Sequence, residues 1–301
     1  RITARVADAA GNLGTASATR TFVLDTTAPL TTAAITAVSD NVGLIQGVVA
    51  TGRRTDDRTP TITGTISAAL ATGETLRIYN GATLLGSAKV DNTNQTWTYI
   101  PTLPATAGTT YRITARVADA AGNLGTASAA RSFTLDTVSP LITAGPFATG
   151  ASGISITSNE NGTAALYKTD GSSLFLKSIK ANTPVILTLA AQSSLTTATL
   201  QIRDTAGNST TAKPTFLLGT NLSDSLTGTS AANFLYGFNG NDTLDGGGGN
   251  DTLTGGLGGD TFRFSSTPNS STNRDRITDF NITEDRIQLE NAVFTGLPTT
   301  G

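Results

Sequence analysis

The sequence contains no cysteine, no histidine and no methionine among its 301 residues. Without cysteine there is neither disulfide nor thiol chemistry, so stability must come from core burial or from metal. Without histidine the Ser-His-Asp and Cys-His nucleophile systems and the usual zinc sites are excluded. Only carboxylate-pair chemistry stays open to an enzyme, and the expectation is a protein that is not one. No apolar run reaches the ~18 residues of a membrane-spanning helix. No signal-peptide pattern opens the chain, and the missing methionine leads us to expect an internal fragment or a processed product. Charge is sparse and balanced, with 20 Lys and Arg against 22 Asp and Glu and a net charge of −2. The basic residues are scattered, so nucleic acid is not an expected partner. Plentiful Thr, Gly, Ala, Asp and Asn suit a protein exported from a bacterium.

What is present is a period of nine. Five consecutive nonapeptides run from residue 219: GTNLSDSLT, GTSAANFLY, GFNGNDTLD, GGGGNDTLT and GGLGGDTFR. Each begins with glycine. The sixth position reads Asp224, Asn233, Asp242, Asp251 and Asp260, and the eighth reads Leu226, Leu235, Leu244, Leu253 and Phe262. Glycine tolerates positive φ and close backbone approach, so each repeat opens with a tight, carbonyl-exposing turn. The residues after each Asp are short and strand-prone, with one large side chain to point inward. Stacked turns would bury the apolar ladder as a thin core and superimpose the carboxylates as a column. Such a column repels itself unless a hard cation joins it, and Ca²⁺ takes about 6–8 oxygens from carboxylates and carbonyls, both abundant here. A Gly-rich flexible linker is the competing reading, but linkers hold no apolar residue at a fixed ninth phase.

The stretch resembles the calcium-binding nonapeptide repeats of RTX proteins, whose pattern is GGxGxDx followed by a large apolar residue. The resemblance implies a right-handed parallel β-roll in which two nonapeptides make one coil, so repeats i and i+2 are stacked neighbours. It implies Ca²⁺ as cofactor, with the best site between turns 237–242 and 255–260. Weaker sites follow between turns 228–233 and 246–251, where Asn233 replaces a charged ligand, and between 219–224 and 237–242, where Leu222 stands in place of glycine. The implied ligands are the side chains of Asp242, Asp251, Asp260, Asp224 and Asn233, with main-chain oxygens at Gly237, Asn239, Gly240, Gly246, Gly248, Gly249, Gly255, Leu257 and Gly258. After a polar segment, RDRITDFNITEDRIQLENAVF sets Ile277, Phe280, Ile287 and Leu289 among Asp275, Asp279 and Asp285. In RTX proteins a similar segment caps the roll, which implies Asp279 as a further ligand or, equally, a surface-solvating group.

Upstream, residues 1–29 recur as residues 112–140 with 24 of 29 positions identical, a tandem duplication at an offset of 111. We therefore divide the chain into the tail of a truncated module (1–28), a complete module (29–139), a shorter module (140–218), the roll (219–263) and a capping flank (264–301). Within the complete module TITGTI alternates from Thr61, TLRIY leads through Asn80-Gly81 into ATLLGSAKV as a hairpin, and TWTYI starts at Thr96. In YRITARVA, Tyr111, Ile113, Ala115 and Val117 are predicted to face inward and Arg112, Thr114 and Arg116 outward. No segment has a helical period. The predicted fold class is all-β: tandem antiparallel immunoglobulin-like sandwiches, with Trp97 as a core aromatic, followed by the parallel roll. In the shorter module ALYKT, Asp170-Gly171 and SSLFLKS form another hairpin. The motif Asp-x-Ala-Gly-Asn recurs at residues 8–12, 119–123 and 204–208.

With TDDRTPTITGT and the LDTTAP linker, this motif makes residues 1 to about 218 similar to the bacterial immunoglobulin-like repeats of surface adhesins and biofilm-associated proteins. The resemblance implies junction calcium held by Asp25, Asp40, Asp56, Asp57, Asp119 and Asp136. The alternative for each is a turn cap that bonds its own backbone. The functional expectation is a calcium-binding extracellular or cell-surface adhesin or biofilm-matrix protein, with a surface, matrix, glycan or protein target. It would be exported unfolded by a one-step type I route and folded by Ca²⁺ outside. A competing expectation makes the roll the secretion module of a hydrolase or toxin whose catalytic domain lies elsewhere.

Overall fold

The structure, a computed structural model, describes residues 1–104, 106–144, 153–212 and 215–296. The end of the capping flank, 297–301, lies outside the described residues. All regular structure among them is strand, antiparallel in the first part of the chain and parallel in the last. The chain divides into two compact units: residues 1–41, 46–53 and 57–135, and residues 42–45, 54–56 and 136–301.

The first unit is a sandwich. One sheet orders Gly47–Val48, Ala33–Asp40, Thr61–Ile66, Thr96–Tyr99 and Lys89–Asp91; the other carries Arg131–Leu135, Thr110–Ala118, Thr75–Asn80 and Thr83–Ser87, all antiparallel. Val38, Ile62, Leu76, Ile78, Trp97, Ile113 and Phe133 fill the space between them. Period-two alternation works as expected, since Tyr111, Ile113, Ala115 and Val117 are all buried. Trp97 is a core aromatic whose indole N–H donates to the Thr65 carbonyl at 3.2 Å. Gly64 makes room for it, because a Cβ there would overlap the ring.

One predicted strand splits. ATLLGSAKV becomes Thr83–Ser87 in one sheet and Lys89–Asp91 in the other. The break falls where Gly86 takes φ +155° beneath the Tyr99 ring and Ala88 N–H turns to the Leu76 carbonyl. A chain crossing between layers needs such a local kink.

The second unit begins with a three-stranded antiparallel sheet, Ile142–Ala144, Gly153–Ser158 and Val185–Thr188. Opposite it lies a sheet ordered Ser173–Ile179, Gly162–Lys168, Thr196–Asp204, Thr215–Leu218, Asn233–Asn239, Thr252–Leu257 and Arg276–Ile277. Its first half is antiparallel, with Gly171 at φ +83° in the predicted hairpin turn. At Thr215–Leu218 the sheet changes character: this strand pairs antiparallel with Thr196–Asp204 on one edge and parallel with Asn233–Asn239 on the other. Sandwich and roll therefore share one continuous sheet. Leu217 stands nine residues before Leu226 and already joins the apolar ladder.

A second parallel sheet, Ser225–Thr227, Thr243–Asp245, Thr261–Phe264 and Arg286–Leu289, closes the roll. Leu226, Leu235, Leu244, Leu253 and Phe262 lie between the two sheets at 3% exposure or less. Leu226 pairs with Leu244, which pairs with Phe262, while Leu235 pairs with Leu253, so stacked neighbours are two nonapeptides apart.

Candidate metal centre

The last three turns of the roll use left-handed backbone that favours glycine. In the third, fourth and fifth repeats, two residues per turn have positive φ: Phe238 and Gly240, Gly247 and Gly249, Gly256 and Gly258. Successive turns stack so closely that a Cβ on Gly256 would overlap the Phe238 carbonyl, and one on Gly258 the Gly240 carbonyl. Phe238 is the one non-glycine at these positions. Its ring is buried against Tyr236, centroids 4.6 Å apart, in the core shared with the preceding sandwich.

Each aspartate of the column uses its two oxygens differently. Oδ1 of Asp242 accepts from the Asp224 N–H at 2.8 Å, that of Asp251 from the Asn233 N–H at 2.7 Å, and that of Asp260 from the Asp242 N–H at 2.9 Å. These bonds lock coil to coil. Oδ2 of Asp242, Asp251 and Asp260 is buried and has no hydrogen-bond partner. It points at the first glycine of its own turn: a Cβ on Gly237 would overlap Asp242 Oδ2, one on Gly246 Asp251 Oδ2, and one on Gly255 Asp260 Oδ2. The Gly255 carbonyl approaches the same point above Gly237.

An unpartnered buried carboxylate is a strong electrostatic defect. Its effect shows in the titration of the column. Burial pushes Asp242 up to about 6 and Asp251 up to about 7, with the neighbouring charges of Asp260 and Asp224, and of Asp275, adding to the shift. Burial likewise raises Asp260, Asp275 and Asp279. Buried carboxylate oxygens that no donor meets, one of them with the Gly255 carbonyl beside it, present the chemistry of a hard divalent cation. The residues present therefore fit calcium.

The first two turns differ. Asp224 Oδ2 accepts from the Thr220 N–H at 2.6 Å and from its hydroxyl at 2.9 Å. Asn233 Oδ1 accepts from the Thr229 N–H at 2.7 Å and its hydroxyl at 3.2 Å. Of the main-chain candidates, Asn239 and Leu257 have exposed side chains and could offer only their carbonyls, as could Gly240, Gly248, Gly249 and Gly258.

Two further members of the column had gone unassigned. Asp275 Oδ1 accepts from the Asp251 N–H at 3.0 Å and Asp285 Oδ1 from the Asp260 N–H at 2.8 Å. Their spacings of 24 and 25 residues break the interval of 18 seen in the roll proper. The readable signal was the triplet Asp-x-(large apolar): Asp275-Arg276-Ile277 and Asp285-Arg286-Ile287 continue Asp242-Thr243-Leu244. Asp279 sits elsewhere, accepting from the N–H groups of Gly255 and Gly256 at 3.0 and 2.9 Å.

The junction candidates lie in local hydrogen-bonded groups, and the Asn123 side chain that bonds Asp119 also donates to the Asp25 carbonyl at 3.1 Å. Asp119 is bonded by the backbone and side-chain N–H groups of Asn123, each at 2.8 Å, and Asp25 by the Thr27 N–H. Asp57 is fully buried and accepts from Thr59 N–H and hydroxyl and from Asn41 N–H. Asp40 is buried in the same unit. In the second unit Asp56 packs against Gly43, and Asp136 is paired with Arg54 at 2.6 Å. Asp136 also meets Glu160 and Asp204, with carboxylate oxygens within 4.8 Å of one another. Sequence reading missed Glu160 and Asp204; the Asp-x-Ala-Gly-Asn motif that holds Asp204 was the available signal.

These features define an all-β architecture: an immunoglobulin-like sandwich and a parallel β-roll whose turns collect carboxylates. Comparison with known proteins makes the class specific. Residues 218–253 and 227–262 match the RTX calcium-binding nonapeptide repeat, and residues 32–137 match the bacterial Ig-like domain. Calcium is thus the metal of the roll, and both matched domains are of non-catalytic kinds. No curated protein matches the chain.

Similar solved structures include the AlgE6R3 subunit of the Azotobacter vinelandii mannuronan C5-epimerase, 43% identical over 23% of this chain and 46% of that one, with a TM-score of 0.17. The BSP domain of a biofilm-associated protein is 16% identical over 56% and 29% of the two chains, TM-score 0.23. Streptomyces avermitilis alpha-L-rhamnosidase in complex with L-rhamnose is 14% identical over 60% and 24%, TM-score 0.22. The chain spans less than half of each of these structures. No helix among the described residues is long and apolar enough to cross a membrane.

Proposed function

We propose that this protein is an extracellular, calcium-folded adhesin or biofilm-matrix component, exported unfolded through a type I route. The observation that carries the reading is the row of three buried carboxylate oxygens, on Asp242, Asp251 and Asp260, that no protein group satisfies. Each nonapeptide orders nine residues around one large side chain, and apolar burial on that scale falls short of the lost backbone entropy. Calcium supplies the difference, held by those carboxylates and by main-chain oxygens of the turns at 237–242, 246–251 and 255–260. Extracellular calcium modules bind at about 10⁻⁴–10⁻³ M, well above cytosolic levels, so such a roll stays open inside the cell and closes outside.

Limited trypsin digestion of the full chain tests the folding step. Arg263, Arg274, Arg276 and Arg286 all lie in the roll or its cap. Cleavage there should be fast in chelator and suppressed in millimolar Ca²⁺; equal rates would reject calcium-driven folding. For the adhesive role, deleting residues 219–296 in the producing bacterium should abolish surface attachment, and unchanged attachment would reject it.

A further inference from the structure

We infer that the first two turns of the roll take no calcium, because Thr220 and Thr229 already occupy the cation's place. The inference rests on the calcium reading above and divides the roll into a metal-independent start and a metal-dependent remainder.

The second position of the five repeats reads Thr220, Thr229, Phe238, Gly247 and Gly256. Only the first two carry a hydroxyl. In both, backbone N–H and hydroxyl converge on the side-chain oxygen at position six, which in the later turns is left bare. The hydroxyl also accepts from the N–H two residues on, that of Leu222 at 3.0 Å and of Ala231 at 3.2 Å. It thus links the acceptor at position six to the turn backbone, the role a bound ion would have, using donors that repel a cation.

Backbone conformation separates the two groups independently. The last three turns each have two residues at positive φ, whereas none of Thr220, Leu222, Thr229 and Ala231 does. In the first two turns Thr, Leu or Ala stands at positions two and four, where a side chain disfavours the left-handed conformation; Phe238 is the one non-glycine of the later turns that adopts it. Charge at position six adds to the division only in the second turn, which carries the neutral Asn233 where the first carries Asp224. These self-closed turns adjoin Thr215–Leu218, which is hydrogen-bonded into the antiparallel sheet. The roll therefore begins on a prefolded coil from which the calcium-dependent coils grow.

The test uses the full chain and Ca²⁺ alone, with bound ions counted by calorimetric titration and equilibrium dialysis. Asp224→Asn and Thr220→Val should leave the number of ions and their affinity unchanged within twofold, while lowering the melting temperature in chelator. Asp251→Asn and Asp260→Asn should each weaken binding at least tenfold or remove an ion. If Asp224→Asn or Thr220→Val removes an ion or weakens binding tenfold, the inference is overturned. If Asp251→Asn and Asp260→Asn also change nothing, the calcium reading itself fails instead. Hydrogen exchange of the unmutated protein in chelator gives a readout independent of any variant. Thr220 and Thr229 N–H should exchange at least tenfold more slowly than Gly247 and Gly256 N–H, and equal rates would also overturn the inference.

Discussion

Asp242, Asp251 and Asp260 are held in an environment that disfavours their own charge. Folding raises their proton affinity above the ordinary carboxylate value near 3.8. For a carboxylate raised in this way, the metal-free fold is favoured at low pH, and that contribution is lost as pH rises from about 4 through the folded values of about 6 and 7. The metal-free roll should accordingly be most stable in mild acid. Calcium must displace the same protons, so its affinity should fall about tenfold from pH 8 to pH 6 for a group titrating near 7. Titrations at the two pH values check this; pH-independent affinity would contradict it. Asp242→Asn should act with opposite signs: weaker calcium binding by at least tenfold, yet a melting temperature in chelator higher by a few degrees, because a buried unpartnered charge is gone. Melting curves with and without calcium distinguish this from simple damage.

At the scale of the turn and the strand, the limits are steric and apolar. Gly256 has φ +110° and no space for a side chain beside the Phe238 carbonyl. Gly256→Ala should destabilise the roll by at least about 1–3 kcal/mol even in saturating calcium. Leu244→Ala opens a cavity in a ladder only one side chain wide and should lose about 2–5 kcal/mol. Chemical denaturation in calcium measures both, and a loss below 0.5 kcal/mol would contradict the packing described. The duplicated segment shows how far context overrides local pattern. Residues 112–140 form Thr110–Ala118 and Arg131–Leu135, paired with each other and with Thr75–Asn80. Residues 1–29, nearly identical, form only isolated bridges, and Val6, Val23 and Leu24 are 81%, 93% and 77% exposed. The alternating pattern is the same in both copies; in the second, Thr110–Ala118 is paired on both edges, by Arg131–Leu135 and by Thr75–Asn80.

On the scale of the whole molecule, the consequence of the shared sheet is a graded response to calcium within the second unit. Removing calcium should release Thr261–Phe264, Arg276–Ile277 and Arg286–Leu289 first, while Thr215–Leu218, tied to Thr196–Asp204, keeps its protection. Hydrogen exchange across a calcium titration would show this order, and simultaneous loss in all strands would refute it.

The sequence by itself determined the all-β class, the nine-residue phase, the inward ladder from Leu226 to Phe262 and calcium as the metal, because each depends on a short-range period or on residue chemistry. It also carried the stacking of alternate repeats, through resemblance to a known pattern. Only the tertiary structure decided which oxygens stay bare, since that turns on which donors reach them: Thr220 and Thr229 satisfy their turns, while no donor meets Oδ2 of Asp242, Asp251 or Asp260. The same holds for Asp275 and Asp285, brought into the column across insertions that destroy the period, and for the strand at 215–218 that belongs to two sheets at once. Pairing partners distant in sequence leave no mark in local spacing, and contact alone reveals them.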